Sequence, residues 1–412
     1  MTPPSLRINA TRLWASLLHS ATIGATPDGG LCRLALSPPD LEIRAWFATA
    51  CQQAGGTVEM DALATQWASF PGADPTLPPI AIGSHLDTQP TGGRFDGILG
   101  VLAGLELIRT LNDTKTRTRH PLRLVNWTNE EGARFPPAMV ASGVWSGAIA
   151  LAHALAQTDA DGITLDQALQ QGGANPKTRF IHQNLAAYFE LHIEQGPILE
   201  AANQQIGIVT GVQGMAWFDV TVEGRPAHAG TTPMHLRADP LAAAAAMAIG
   251  INQFPNADPQ ALTTIGIFQA YPGARNTIPA RVQFSVDLRH PTPDGLAALE
   301  ARLTAALPPQ AAQAGCTVTI EPIWRSAPVN FDPAVISAIQ TAASQLGLRH
   351  CNIVSGAGHD AVYTARTTPT AMIFTPCQGG ISHHPAESIT PEQAEHGANV
   401  LLNAVLAYDV AA

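Results

Sequence analysis

Four short apolar segments of this chain end in histidine or carboxylate side chains, and helix-like segments separate them along the sequence. The polar residues at these ends are His85 with Asp87, Glu130 with Glu131, His192, and His383 with His384. Alternating strands and helices indicate an α/β domain with a mainly parallel sheet. The carboxyl ends of parallel strands lie at one edge of a sheet, so we expect these residues to converge there.

The composition indicates a globular protein and excludes some classes of partner. Hydrophobic residues make up 46% and charged residues 13% of the sequence. The length of 412 residues is enough for two or three domains. The net charge of −10 argues against nucleic acid or an anionic membrane as the main partner. We find no signal peptide, and the longest apolar run, Leu241 to Ile251, is too short to span a membrane.

The five cysteines do not indicate disulfides or a thiolate metal site, because they lie far apart and include no CxxC pair. An odd number of widely separated cysteines is typical of a protein in a reducing compartment. We therefore expect a cytoplasmic location.

The residue pattern changes near Gly214 and changes back near Ala327. Between these points, half-exposed strands and two predicted helices follow the order β-α-β-β-α-β, which is typical of a ferredoxin-like domain. We therefore predict a catalytic domain in two parts, residues 1–213 and 328–412, with an inserted α+β domain at 214–327. In the first part we also predict a strand over residues 57–70.

His85, Asp87 and Asp96 lie in one polar segment between a predicted strand and an amphipathic helix. Imidazole and carboxylate groups are suitable ligands for zinc and similar divalent ions. His85 and Asp87 face the same side of an extended chain, so the Asp87 carboxylate could orient the His85 ring. The alternative is that Asp96 caps the helix and that His85 is an ordinary loop histidine.

The other strand ends extend this set of candidate ligands. Glu130 and Glu131 would be costly beside a buried strand unless positive charge or protons compensated them. His192 and His383, each taken alone, are more simply interpreted as hydrogen-bonded loop histidines. Taken together, the strand ends supply enough ligands, including a bridging carboxylate, for two metal ions.

Three residues of the inserted domain could bind a polar substrate. Arg289 could hold a carboxylate through two parallel N–H bonds, and His228 and Asn276 could polarise a carbonyl group. The alternative for all three is an exposed strand end or loop. Outside the inserted domain, the segment around Gly358 could receive an anion on its backbone N–H groups, although a simple turn would also explain its glycines.

Six motifs occur in the order found in the M20-type metallopeptidase superfamily. They are GSHLDTQPTGGRFDGILG, NEEGARF, ELHIEQGP, HAGTTPM, SGAGHDA and GISHHPAE. The chain resembles the amidase branch of that superfamily, which contains the hydantoinase/carbamoylase-type N-carbamoyl-L-amino-acid hydrolases, yeast-type β-ureidopropionases and allantoate amidohydrolases. The similarity extends from about Ser16 to the C-terminal helix.

This resemblance implies a di-zinc, aminopeptidase-like catalytic domain with an inserted lid or dimerisation domain. It implies two divalent metal ions, with zinc preferred and Mn²⁺, Co²⁺ or Ni²⁺ as alternatives. The implied ligands are His85 and His192 for one metal, Glu131 and His383 for the other, and Asp96 as the bridge. His384 stands where the family usually has asparagine or serine, so a shift of register that makes it the ligand stays open.

The resemblance also implies roles for the remaining residues. Glu130 matches the general base and Asp87 the carboxylate behind the metal ligands. His228 matches a histidine that reaches the active site of the partner subunit, which implies a homodimer. The implied substrate-binding positions are Gln195, Asn276 and Arg289, and we add Gly358 to them.

The implied activity is hydrolysis of the ureido C–N bond of an N-carbamoyl amino acid. The substrate would be an N-carbamoyl-L-amino acid or N-carbamoyl-β-alanine, and the products the amino acid, CO₂ and NH₃. Allantoate hydrolysis is the first alternative, because it shares the metal motifs. His192 and Gln195 argue against a peptidase or deacylase, and the presence of Glu130 with all the implied ligands argues against a non-catalytic zinc-binding protein.

Overall fold

The computed structural model describes residues 5–173 and 184–411, and the chain divides into two compact units. The first unit comprises Met1–Thr210 and Asn330–Ala412, and the second comprises Gly211–Val329. The inserted domain that we predicted at 214–327 lies within the second unit. In the described ranges, no helix combines the length and apolar character needed to cross a membrane.

The chain before the second unit forms helices and strands in alternation. Its helices are α1 (Ala10–Ser20), α2 (Pro38–Gln53), α3 (Ile98–Thr114), α4 (Val140–Trp145), α5 (Leu151–Leu155), α6 (Leu165–Gln171) and α7 (Ile198–Ala201). Its strands are β1 (Thr57–Met60), β2 (Gln66–Phe70), β3 (Ile80–His85), β4 (Leu122–Trp127), β5 (Ala187–Ile193) and β6 (Ile206–Val212).

The remaining elements complete both units. The next elements are β7 (Gly214–Glu223), β8 (Ala227–His228), α8 (Pro240–Asn252), β9 (Leu262–Thr264), β10 (Phe268–Tyr271), β11 (Thr277–Ile278), β12 (Arg281–His290), α9 (Pro293–Gln313) and β13 (Thr317–Ser326). The chain then forms β14 (Val329–Asn330), α10 (Pro333–Gln345), β15 (His350–Ser355), α11 (Asp360–Thr364), β16 (Thr370–Thr375) and α12 (Pro391–Ala411).

A nine-stranded sheet forms the centre of the first unit, in the order β1-β2-β4-β3-β5-β16-β6-β14, with β15 also paired with β6. The central strands β4, β3, β5 and β16 are parallel to one another, whereas β1, β2 and β6 pair in antiparallel fashion. Every residue of β3, β5 and β16 is buried, as is usual for parallel strands with helices on both faces. The largely parallel centre confirms the predicted fold class.

Helix α3 starts differently from our expectation. We considered Asp96 as its N-cap, but the helix begins at Ile98, and Gly97 occupies the N-cap position without a side-chain cap bond. Gly97 has a φ of +71°, and a Cβ at this position would lie 2.4 Å from the His85 ring. Only glycine fits this close approach, and the Asp96 side chain is left available for the site described below.

The prediction of one strand over residues 57–70 was wrong. The segment forms two antiparallel strands, β1 and β2, joined by a tight turn. The Asp61 carboxylate closes the turn by accepting the backbone N–H groups of Leu63 and Thr65, at 2.9 and 3.0 Å. Aspartate favours turns because its side chain competes for local backbone donors in this way.

The second unit contains an antiparallel sheet in the order β10-β12-β7-β13, with β9 beside β12. Helices α8 and α9 pack on this sheet around buried apolar residues such as Val220, Phe284 and Leu303. This strand order is the ferredoxin-like arrangement that we predicted, with a small β8–β11 ladder added to it.

Candidate metal centre

The parallel strands of the first unit bring the predicted ligands to one edge of the sheet. His85 is the last residue of β3, His192 is the penultimate residue of β5, and the Glu130–Glu131 pair follows the end of β4. His383 lies beyond the end of β16. These strands are parallel neighbours, so their carboxyl ends meet.

His85, Asp96 and His192 form the first group of candidate metal ligands, called the first ligand group below. All three are buried, and one potential ligand atom from each lies within 4.8 Å of the others. Asp96 Oδ1 is 3.1 Å from His192 Nε2 and 3.5 Å from His85 Nε2. Two imidazole nitrogens and a carboxylate oxygen therefore face one small volume.

Asp96, Glu131 and His383 form the second ligand group. His383 Nε2 lies 3.4 Å from Asp96 Oδ2 and 3.5 Å from Glu131 Oε2. Asp96 thus belongs to both groups, with one carboxylate oxygen directed to each. This is the geometry needed by a carboxylate that bridges two cations.

Backbone carbonyl groups orient the two buried imidazoles. His85 Nδ1 lies 2.9 Å from the carbonyl oxygen of Asp87, and His192 Nδ1 lies 2.9 Å from the carbonyl oxygen of Ile193. Each Nδ1–H can donate to its carbonyl, which leaves Nε2 as an acceptor suited to a metal ion. Nε2 of His192 also accepts the backbone N–H of Gly97 at 3.1 Å, a bond that a metal ion would replace.

Asp87 supports the site differently from our expectation. We expected its carboxylate to orient the His85 ring, but only its main-chain carbonyl makes that contact. The carboxylate instead accepts the backbone N–H groups of Glu130 and Glu131, at 3.3 and 3.2 Å. Asp87 therefore fixes the main chain of the glutamate pair.

The two glutamates differ in their surroundings. Glu131 belongs to the second ligand group, whereas Glu130 belongs to neither group and places its Oε2 3.5 Å from His85 Nε2. Gly132 follows them with a φ of +64°, and a Cβ there would meet the backbone of Ala138 at 2.5 Å. This turn breaks the strand direction and lets both carboxylates face the same site.

The electrostatics of the cluster indicate that protons occupy it when no cation is bound. Burial raises the pKa of Glu130 well above its ordinary value, and burial with the neighbouring Asp96 raises the pKa of Glu131 to about 7. A hydrogen bond to Asp96 raises the pKa of His383 to about 9. Burial favours the neutral form of Asp96, yet the surrounding imidazoles, His192 first, hold its pKa well below the ordinary value.

This donor set fits divalent cations. Imidazole nitrogens and carboxylate oxygens in groups of three are suitable ligands for zinc, manganese or cobalt. Cations would replace the protons that compensate the buried carboxylates, so metal binding should release protons. The backbone carbonyls that contact Nδ1 of His85 and His192 favour the tautomer that leaves Nε2 to a metal ion.

The side-chain amide of Gln195 contacts the second ligand group. Its Nε2 donates to Asp96 Oδ2 at 2.7 Å and to Ser382 Oγ at 3.2 Å. Its Oε1 is buried, with no hydrogen-bond partner among the described residues. The residue also has a φ of +58°, which is uncommon outside glycine. A buried acceptor held in this way is available to an N–H group of a ligand.

The structure distinguishes His383 from His384. His383 faces Asp96 and Glu131, whereas Nδ1 of His384 accepts the backbone N–H of Ala386 at 3.0 Å. His384 belongs to neither ligand group. The geometry therefore favours the register in which His383 is the ligand.

Replacing His383 with alanine is expected to weaken binding of one metal ion by more than the roughly 10–100-fold typical of changes outside the ligand shell. With one ion at each candidate ligand group, the metal content after dialysis should fall from two ions per chain to about one, measured by elemental analysis. His384→Ala is the matched control and should retain both ions. A loss of metal in His384→Ala with none in His383→Ala would reverse the assignment.

The predicted residues of the inserted domain lie in the second unit. His228 is exposed at the end of β8, and its Nδ1 accepts the backbone N–H of Gly230 at 3.1 Å. The main-chain carbonyl of Asn276 accepts the N–H of Ala229 at 2.9 Å. Arg289, near the end of β12, donates to Asp287 at 2.7 and 3.0 Å.

Gly358 lies in the first unit, just before α11. A Cβ at this position would lie 2.9 Å from Cε of Met139, the end of a flexible side chain that can move aside, so packing does not by itself require glycine here. The next residue, His359, is buried and packs edge-on against His192 with ring centroids 4.5 Å apart. This loop therefore packs directly against a candidate ligand histidine.

Sequence reasoning missed Ser382, Glu387 and His359 as residues of the site. Ser382 donates to Asp96 Oδ2 at 2.8 Å, and Glu387 accepts the backbone N–H of Asp96 at 3.1 Å. Their position in the sequence could have indicated a role in the site, because each lies within a motif that also contains a predicted site residue. Their partners, however, are distant in sequence.

The fold and the site together define a class: a two-unit α/β enzyme fold with paired histidine–carboxylate ligand groups at the edge of a parallel sheet. A family model described as Peptidase family M20/M25/M40 matches residues 81–407. The chain therefore belongs to the peptidase family M20/M25/M40, which confirms the resemblance drawn from the six motifs.

Individual relatives are similar over almost the whole chain. An N-carbamoyl-L-amino-acid amidohydrolase of Rhizobium meliloti is 45% identical over 401 residues, covering 97% of this chain and 96% of the relative. An allantoate amidohydrolase of Bacillus subtilis is 33% identical, covering 92% and 93%. The crystal structure of an amidase of the hydantoinase/carbamoylase family from Burkholderia multivorans superposes with a TM-score of 0.96 at 47% identity, covering 98% and 99%.

Proposed function

We propose that the protein hydrolyses the ureido C–N bond of N-carbamoyl-L-amino acids. One water molecule is consumed for each substrate, and the products are the free amino acid, CO₂ and NH₃. The observation that carries this proposal is the 45% identity, over nearly the full length, to a relative named for this activity. The two ligand groups that share Asp96 support it, because they supply the donors that such hydrolysis needs.

The residues of the first unit would hold two divalent cations. His85 and His192 would bind one, Glu131 and His383 the other, and Asp96 both. Cations bound there supply Lewis acidity, which lowers the pKa of water and polarises a carbonyl oxygen. Zinc is the cation that we propose, and Mn²⁺, Co²⁺ and Ni²⁺ suit the same donors.

Glu130 would act as the general base. It would accept a proton from the water that attacks the ureido carbon and return it to the leaving nitrogen when the C–N bond breaks. Two features support this role: its carboxylate faces the ligand groups without belonging to them, and burial raises its pKa well above the ordinary value of a carboxyl group. Asp87 would hold the backbone that carries Glu130.

Five residues would take part in substrate recognition. Oε1 of Gln195, which has no hydrogen-bond partner in the described part of the chain, would accept an N–H of the ureido group. Backbone N–H groups near Gly358 would contact the substrate. Arg289 and Asn276 would bind the substrate carboxylate, and His228 would donate to the developing oxyanion. Arg289 already pairs with Asp287, so the substrate carboxylate would have to share or replace that partner.

We also propose a homodimer formed through the second unit, with His228 reaching the site of the partner. Exposed apolar side chains of the second unit support an interface there: Trp217, Ile323 and Trp324 are 44%, 55% and 43% exposed. The rings of Trp217 and Trp324 lie 5.0 Å apart on neighbouring strands.

Five free cysteines support a location in the reducing cytoplasm.

An ammonia-release assay tests the proposed activity. Metal-free protein would be loaded with Zn²⁺, Mn²⁺ or Co²⁺ and supplied with N-carbamoyl-L-amino acids, N-carbamoyl-β-alanine or allantoate. We expect the highest kcat/KM with an N-carbamoyl-L-amino acid. A preference for allantoate would favour the alternative suggested by the Bacillus subtilis relative, and no release from any substrate would favour a non-catalytic protein.

A further inference from the structure

Glu387 is a buried carboxylate in the loop that also carries His383. It is 0% exposed, and its contacts reach the loop before α3. Its Oε1 accepts the backbone N–H groups of Phe95 and Asp96, at 2.8 and 3.1 Å. Its Oε2 lies 3.1 Å from the hydroxyl oxygen of Ser382, whose one hydrogen is shared between Glu387 and Asp96.

The chain is shaped to admit this carboxylate. A Cβ on Gly93 would lie 2.1 Å from the carboxyl carbon of Glu387, a distance at which one of the two must move. Gly93 therefore allows the segment before α3 to wrap closely around the Glu387 side chain. The carboxylate and the glycine form one fitted contact between two loops that are distant in sequence.

This contact fixes Asp96 at two points. The backbone of Asp96 is held by Glu387 Oε1, and its side-chain Oδ2 is held by Ser382, which itself contacts Glu387 Oε2. Asp96 is the residue shared by both ligand groups. A displacement of its carboxylate would therefore affect both groups at once.

We propose that Glu387 is a positioning residue that holds Asp96 between the two ligand groups and so sets the affinity of the paired metal site. Glu387 belongs to neither ligand group, so it acts through Asp96 and Ser382. The inference rests on the proposed metal centre, but it does not depend on which ureido compound is the substrate.

Titration of metal-free protein with Co²⁺, followed by its visible absorption, tests this role. The wild-type protein is expected to bind two Co²⁺ per chain. Glu387→Ala leaves the N–H groups of Phe95 and Asp96 without their acceptor, and we expect it to weaken binding by about 10–100-fold and to alter the cobalt spectrum. Glu387→Gln keeps an oxygen acceptor at Oε1 and should recover most of the affinity.

Asp409→Ala is a matched control. Asp409 is buried and accepts the backbone N–H groups of Arg119 and His120, both at 2.8 Å, so its removal also leaves two backbone donors unpaired. We expect Asp409→Ala to lower the melting temperature without changing the Co²⁺ affinity or spectrum. Equal losses of Co²⁺ affinity in Asp409→Ala and Glu387→Ala would assign Glu387 to general stability and overturn the proposal.

Gly93→Ala gives a second route if Glu387→Ala does not fold. The added methyl group would displace the Glu387 carboxylate without removing it, so we expect weaker Co²⁺ binding here as well. Wild-type affinity and spectrum in folded Glu387→Ala or Gly93→Ala would overturn the positioning role alone. Failure of the wild-type protein itself to bind Co²⁺ would overturn the proposed metal centre together with this inference.

Discussion

Replacing Glu130 with glutamine is expected to lower kcat for an N-carbamoyl-L-amino acid by about 10²–10⁴-fold, the usual contribution of a general acid–base group. Glutamine keeps the size and the backbone contact to Asp87 but cannot accept a proton. Glu130 belongs to neither ligand group, so both metal ions should stay bound. The measurements are steady-state ammonia release and metal content on the same preparation.

Glu131→Gln is the natural comparison for this variant. The two glutamates are adjacent, and Asp87 accepts the backbone N–H of each. Because Glu131 belongs to the second ligand group, Glu131→Gln should lose both activity and metal. Near-wild-type turnover in Glu130→Gln with full metal content would contradict the assignment of the base, and equal metal loss in both variants would contradict the division of roles.

Replacing Asp96 with asparagine should have the largest effect on metal binding, because Asp96 is common to both ligand groups. An amide is a weaker ligand than a carboxylate and cannot neutralise a cation. We expect the metal content to fall from two ions per chain to at most one. Losing the contribution of a metal ion to catalysis, several kcal/mol, corresponds to a decrease in kcat of at least about 10²–10³-fold.

Glu106→Gln separates this effect from a general loss of buried charge. Glu106 is a buried carboxylate of α3 that pairs with Arg12 at 2.7 Å, and it belongs to neither ligand group. The control should therefore retain both metal ions and its activity. Two tightly bound ions in Asp96→Asn would show that Asp96 does not bridge them.

The sequence allowed prediction of the features that depend on local pattern. Apolar strands ending in His85 and His192 could be recognised from a few neighbouring residues, and the parallel sheet then implied that they meet. The turn at Asp61 was missed because the residue pattern of 57–70 resembles one continuous strand. The Asp61 contacts that close the turn do not alter the alternation of polar and apolar residues in a recognisable way. Asp96 was also considered as a helix cap, because its contacts with residues distant in sequence cannot be recognised from its neighbours alone.

The contacts that support the ligands were harder to predict. Either the carboxylate or the main-chain carbonyl of Asp87 could have contacted the His85 ring. Which of them does so depends on side-chain rotation, which a sequence pattern does not specify. Glu387 and Gly93 lie in different sequence segments of the first unit, so their fit follows only from the adjacency of the two loops in three dimensions. The sequence therefore indicated which residues gather at the sheet edge, but not how they hold one another.

The most direct test of the central claim is a metal titration of ammonia release from an N-carbamoyl-L-amino acid. Metal-free protein would receive increasing equivalents of Zn²⁺, and the initial rate would be measured at each point. The two ligand groups that share Asp96 predict no activity without metal and a plateau at two equivalents per chain. Full activity in the metal-free protein, or a plateau at one equivalent, would contradict the account.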